Sequence, residues 1–361
     1  MTTELAERRK GQALSLLLLA VALIAIAAVT VGIEMRASRP DLASGPVVPG
    51  LHQSIAGGQR IVITSRDASY RIERTQRGDQ SIWVMRDRGD YPVLSARLAA
   101  LTAGLERLQF TRRMTTDPAK FDRLGVGDPR QGGNGVLVQI EDAHGARLVN
   151  LILGMTPAGG PRVVYVRRPD QNQTWAAEGE LPPLRDVAAW LDLHPLAVPA
   201  EQLTRVEVTP AAGRPFAIER DAATTAWQLA SPAGAPALPS RVAVTAEAIT
   251  HLSPVDVQPA PAIQGVAQAR LRVLTQAGVA VEAELIPTEG RLWLKVVARA
   301  LTAGDAPQEA AALAINDHAS GWAFALSPEE AEALAPTLAG LSPAPPAPPV
   351  PAMPQPDAPA Q

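Results

Sequence analysis

The chain has no cysteine in 361 residues. Disulfides, zinc–thiolate sites and cysteine nucleophiles are therefore excluded. Lysine is almost absent: only Lys10, Lys120 and Lys295 occur, while arginine is plentiful, a bias of composition rather than of function. Net charge is −3 and the isoelectric point lies near 6.0. The basic field of a nucleic-acid binder is missing. The five histidines (His52, His144, His194, His251, His318) are scattered and never fall at a metal-ligand spacing. There is no G-x-S-x-G elbow and no P-loop, and Gly132-Gly133-Asn134-Gly135 reads as a turn into a strand. Asp90 and Asp128 precede Tyr-Pro and Pro, which makes them turn residues before they are an acid–base pair. No catalytic, cofactor or metal residues are expected.

What is present begins with residues 11–33, which carry neither charge nor proline. As a helix they would run about 35 Å, enough to cross a hydrocarbon core of about 30 Å. Arg8, Arg9 and Lys10 abut the run. Basic residues stay on the cytoplasmic side, so residues 1–10 are expected inside and the bulk of the chain outside, a single-pass periplasmic arrangement. A cleaved signal peptide is the competing reading, with a shorter apolar core. Residues 34–57, rich in Pro, Gly and Ser, read as a linker. The stretch 342–361 (SPAPPAPPVPAMPQPDAPAQ) reads as a disordered tail of polyproline character.

Between these ends the chain repeats itself. Pro92, Leu94, Arg97, Leu98, Leu105 and Leu108 follow Trp83 at the same offsets as Pro236, Leu238, Arg241, Val242, Ile249 and Leu252 follow Trp227. Ahead of each Trp stands an alternating hairpin: Ile61 and Ile63 with Tyr70 and Ile72, then Val206 and Val208 with Phe216 and Ile218. After each Trp comes a helix with one apolar face, Leu98, Leu101, Leu105 and Leu108 in one copy and Val242, Ala246, Ile249 and Leu252 in the other, with Ser95 as the expected N-cap of the first. A second hairpin turns at Gly145 and at Gly278, with Leu148 and Ile152 matched to Val281 and Leu285. Aromatic strands (163–166; 292–296), tryptophan strands (Trp175; Trp322) and closing helical stretches (184–191; 328–338) complete each copy. The expected fold is α+β: one transmembrane helix, then two related modules of antiparallel strands with helices on one side, 58–195 and 196–341. Matched positions make the tryptophans core residues before they are sugar platforms.

The order of weak motifs resembles a known family. Asp90-Tyr91-Pro92 leads into the leucine helix. Next come Phe121, Asp122, Arg123, Leu124, Gly125, Val126, Gly127, Asp128 and Pro129, then Tyr165-Val166-Arg167 and Trp190-Leu191-Asp192. This pattern is similar to the bacterial family called domain of unknown function 4340. The resemblance implies a membrane-anchored, non-enzymatic auxiliary or scaffold component of an ABC-type transport system of the kind linked to gliding motility. The implied partners are the inner membrane and a permease or auxiliary subunit. The second copy lacks the Asp-Pro segment, so any role of that segment resides in the first. The alternative is a periplasmic carbohydrate-binding module or hydrolase with a cleft between the modules. Perturbed titratable groups in such a cleft would favour it, whereas an apolar patch on one module favours the adaptor.

Overall fold

The computed structural model describes residues 44–154 and 163–342. The run 11–33 and its basic flank, and the Pro-rich stretch from 343, lie outside the described residues. Among the described residues no helix is long and apolar enough to cross a membrane.

In chain order the strands are β1 (Gly58–Thr64), β2 (Ser69–Arg77), β3 (Gln80–Met85), β4 (Tyr91–Pro92), β5 (Gln109–Arg113), β6 (Val136–Asp142), β7 (Arg147–Leu153), β8 (Val163–Arg167) and β9 (Thr174–Glu178). They continue as β10 (Leu203–Pro210), β11 (Phe216–Arg220), β12 (Trp227–Ser231), β13 (Asp256–Pro259), β14 (Ala269–Thr275), β15 (Val279–Thr288), β16 (Arg291–Ala300) and β17 (Trp322–Leu326). The helices are α1 (Leu51–Ser54), α2 (Ser95–Arg107), α3 (Phe121–Leu124), α4 (Pro239–Glu247), α5 (Ala306–Ala319), α6 (Pro328–Leu334) and α7 (Leu338–Leu341). The fold is α+β, with two antiparallel sheets and few helices.

Two compact units emerge. One holds the described residues up to Ser69 with Ala99–Pro182; the other holds Tyr70–Leu98 and the described residues from Pro183. In the first unit six strands run β1-β6-β7-β8-β9-β5. Strands β6 and β7 are apolar on both faces at their paired ends. Val138, Ile140, Val149 and Leu151 are buried, and so are Leu137 and Ile152, which Phe121 and Val126 cover. Residues before β1 belong to this unit. Val47 donates to the Leu108 carbonyl (2.9 Å), Phe110 donates to that of Gly45 (2.9 Å), and Val47 and Leu51 are buried. Residues 45–57 therefore belong to the fold and not to the linker expected over 34–57, because Val47 and Leu51 have apolar surface to bury.

In the second unit an eight-stranded sheet runs β12-β11-β10-β14-β15-β16-β17-β13. Its last six strands follow the same order as the six of the first unit. The hairpin β2–β3 matches β11–β12 in register: Ile72 faces Met85 and Arg74 faces Trp83, as Ile218 faces Leu229 and Arg220 faces Trp227. As expected from alternation, Val206 pairs with Ile218 and Val208 with Phe216.

Several local readings need correction. Ser95 is already inside α2; the Arg97 and Leu98 amides bond to the Leu94 carbonyl (3.0 and 3.3 Å), so Leu94 occupies the cap. A bulge between Ile140 and Glu141 adds a residue to the first Gly hairpin. Ile140 therefore faces Val149, whereas Val273 faces Val281, and the counterpart of Val281 is Val149, not Leu148. The first closing stretch is one 3-10 turn, Ala188–Trp190. Its hydrogen-bonding counterpart is α7, not α6: the Leu94 amide donates to the Trp190 carbonyl (2.9 Å) as the Leu238 amide donates to that of Leu341 (2.8 Å). Ser342 belongs to the fold, its Oγ donating to the Pro236 carbonyl (2.8 Å), and so is not part of the tail expected over 342–361.

Helix α5 is an addition to the expected elements. Asp305 caps it through the Gln308 amide and Pro307 sits in its first turn, both start signals. Asn316 pins it to β16, accepting from the Ala298 amide and donating to the Ala298 carbonyl (2.8 Å each).

Candidate functional site

The described surface of the second unit carries a groove between α4 and α6. Helix α6 starts where Ser327 caps it, with Pro328 at the first position and Glu330 closing a reciprocal capping box. The Glu330 carboxylate also accepts from the Ser253 amide (2.6 Å), which ties the start of α6 to the chain leaving α4. Burial works to raise the pKa of Glu330, but the hydrogen bonds from Ser253 and Ser327 outweigh it and hold the group below the usual carboxylate range. It is a structural anion, not an acid poised for proton transfer. Helix α4 turns Val242, Thr245 and Ala246 inward. Val244 faces outward and is 61% exposed, so it stands as an apolar ridge in the groove.

Two hollows flank that ridge. One, of about 460 Å³, runs past Arg241, Thr245, Glu332, Pro336 and Leu341. The other, of about 360 Å³, is lined by Glu247, Ala248, His251, Leu252 and Glu330. Val244, Glu329 and Ala333 belong to both. Floor and walls are apolar, and the rim is mostly acidic. Arg241 donates to the Gly340 (2.6 Å) and Ser342 (3.1 Å) carbonyls. Glu247 accepts from the Trp227 indole (2.9 Å) and lies 3.7 Å from Arg220. The Glu329 and Glu332 side chains are exposed and make no hydrogen bond or ion pair among the described residues. Sequence reading missed this groove: an outward Val244 on an otherwise regular amphipathic helix carries no local signal.

The repeat-matched residues are not gathered in it, apart from Arg241. Trp227 is buried, with the Arg220 guanidinium 4.3 Å from its ring centroid. Trp83 is half-buried. Pro92 lies in β4 and Pro236 in the loop before α4. Arg97 donates from Nε to the Ala189 carbonyl (3.0 Å). Gly145 and Gly278 both take the left-handed conformation (φ 80° and 72°) that their hairpin turns require.

The family-like segment forms a separate knot in the first unit. Phe121 and Val126 pack with Leu137 and Ile152, and Leu124 and Tyr165 lie against them. Gly125 ends α3 at φ 68°. Asp128 caps the turn that starts at the buried Pro129, accepting from the Arg130 amide (3.0 Å) and guanidinium (2.6 Å). The Arg130 guanidinium holds the Asp128 carboxyl below its ordinary range. Buried Arg167 stacks on Phe121 (4.6 Å to the centroid) and donates to the Val126 (3.0 Å) and Gln171 (3.1 Å) carbonyls. Asp90, at φ 68°, accepts from Arg86 (2.8 Å). Both aspartates are thus turn-forming anions. Among the described residues no group of three His, Asp or Glu side chains could hold a metal.

Phe110 and Trp175 stack at 4.7 Å between centroids, and the Arg113 guanidinium lies 5.2 Å from the Trp175 ring. That indole is engaged by its neighbours on β5.

No curated protein and no solved structure matches the chain. The family model described as "Domain of unknown function (DUF4340)" matches residues 83–262, from β3 through α4 and β13, and the chain belongs to that family.

Proposed function

We propose that this chain is a non-enzymatic adaptor, tethered to the inner membrane through 11–33 with its bulk on the periplasmic side, which holds a subunit of an ABC-type transport system. We read its outer part as a duplicated α+β module, 58–195 and 196–341, in which the second copy has gained α6 and with it the groove. The observation that carries the adaptor reading is the groove: apolar, open and lined by helices, with the one shifted carboxylate on its wall moved away from neutrality by capping. The basic flank Arg8-Arg9-Lys10 supports the orientation.

The test replaces Val244 with a photocrosslinking residue in the full chain, in native membranes. A discrete adduct with an integral membrane protein is expected. No adduct above the unmodified chain would remove the adaptor reading.

A further inference from the structure

We propose that the groove between α4 and α6 receives a protein segment that presents an apolar side chain flanked by lysine or arginine. This rests on the adaptor reading and specifies its partner. The apolar half of the match is the outward Val244 above a lining of Ala248, Leu252 and Ala333. The charged half is Glu329 and Glu332. They stand three apart on α6, where like charges repel, and neither has a cation. Several other carboxylates of the second unit are paired: Glu73 with Arg86 (2.7 Å), Asp256 with Arg88 and Arg291, Glu284 with Arg270 (2.9 Å). The rim cation, Arg241, is engaged by two backbone carbonyls, and Glu247 on the opposite wall is taken by the Trp227 indole and Arg220, which leaves Glu329 and Glu332 to meet an incoming cation. His251 stands at the far end. An incoming ammonium or guanidinium would form charge-assisted hydrogen bonds with Glu329 and Glu332. Phosphate-bearing ligands and anionic lipid surfaces would be repelled.

Size agrees with a helical segment. From Ser240 to Glu247 the α4 wall extends about 10 Å at 1.5 Å per residue, or two helical turns, which suits anchors spaced i, i+3 and i+7. The stretch 343–361 of this chain follows directly on Leu341 and Ser342 and is the competing occupant. Its sole charged side chain is Asp357, which has the wrong sign.

The experiment uses the full chain in zwitterionic nanodiscs and fluorescence anisotropy. One probe is a labelled 14-residue helical peptide with leucines at i, i+3 and i+7 flanked by lysines; the other carries glutamates in place of the lysines. The lysine peptide is expected to bind at least tenfold more tightly. The double variant Glu329→Lys/Glu332→Lys should reverse the order. Where that variant unfolds, Glu329→Gln/Glu332→Gln should weaken the lysine peptide several-fold without helping the other. Equal binding of the two peptides, or indifference to these changes in a folded variant, overturns the proposal. So does a tenfold or greater gain for both peptides on deleting 343–361, which assigns the groove to the chain's own tail. A Val244 adduct with an acidic partner segment sinks the charge assignment and leaves the adaptor reading standing. Intact peptide preference without any membrane adduct sinks the adaptor reading alone.

Discussion

The Arg97 guanidinium donates to the backbone carbonyl of Ala189 at 3.0 Å. Arg241, at the same offset from its tryptophan, donates to Gly340 at 2.6 Å. In each case an arginine in the first turn of a helix holds the turn that closes its half of the chain. The adjacent backbone bonds, Leu94 to Trp190 and Leu238 to Leu341, repeat with it. Asp186, just ahead of the first closing turn, accepts from the Ala188 amide, and Thr337 caps the second, accepting from the Gly340 amide.

Arg97→Ala should therefore destabilise the protein by about 1–2 kcal/mol, the scale of a charged hydrogen bond at a half-buried site. Arg241→Ala, at an exposed site, should cost about 0.5–1 kcal/mol. Arg97→Lys should not restore the loss, because the bond comes from Nε. Urea unfolding midpoints at constant slope check all three.

The two tryptophans should not respond alike. Trp227 is buried, its indole nitrogen donates to Glu247 at 2.9 Å, and Arg220 covers its ring. Trp227→Ala should cost about 3–5 kcal/mol. Trp83 is half-buried, and its truncation should cost about 1–2 kcal/mol, since less surface returns to water. Equal losses in chemical denaturation would mean that the two positions are packed equally well.

The two hairpin glycines should also differ. A Cβ at Gly145 meets nothing within 4 Å, so Gly145→Ala carries only the left-handed penalty of about 1–2 kcal/mol. At Gly278 a Cβ would come within 2.5 Å of the Gln308 side chain. Gln308 is held by the Thr302 amide and by Asp305, so it cannot swing away without losing those bonds. Gly278→Ala should be the more destabilising by thermal melting, and adding Gln308→Ala should recover part of the difference.

Acid should loosen the knot of the first unit. The Asp128 pKa is lowered in the folded state, chiefly by Arg130. A depressed carboxylate stabilises above its unfolded value, about 3.9, and loses that stabilisation as pH falls through the folded value. Stability measured from pH 5 downward should fall as pH drops below about 4. The fall should be shallower in Asp128→Asn and in Arg130→Ala. Identical slopes in all three proteins would remove Asp128 from the acid response.

Periodicity made the helix faces legible: Leu98, Leu101, Leu105 and Leu108, and Val242, Ala246, Ile249 and Leu252, are all buried. Alternation likewise pointed to the Val206–Ile218 and Val208–Phe216 pairs. What was not legible depended on geometry rather than residue type. The bulge at Ile140 moves the core face by one residue without any change in composition. The match between Ala188–Trp190 and α7 rests on backbone bonds to Leu94 and Leu238, which have no side-chain signature. The groove depends on which way Val244 points once α6 has docked. Helix α5 was readable from Asp305 and Pro307, but its weakly amphipathic alanine-rich run concealed it.

Each half ends its sheet on a strand made long before its partner. Gln109 pairs with Glu178 and Asp256 with Ala325, each across 69 residues, counting 178 less 109 and 325 less 256. During synthesis β5 is therefore already waiting when β9 leaves the ribosome. The β9–β5 pair can form before β13 exists. Growth from the N-terminus thus lets the β5–β9 pair form from residues of the first half alone.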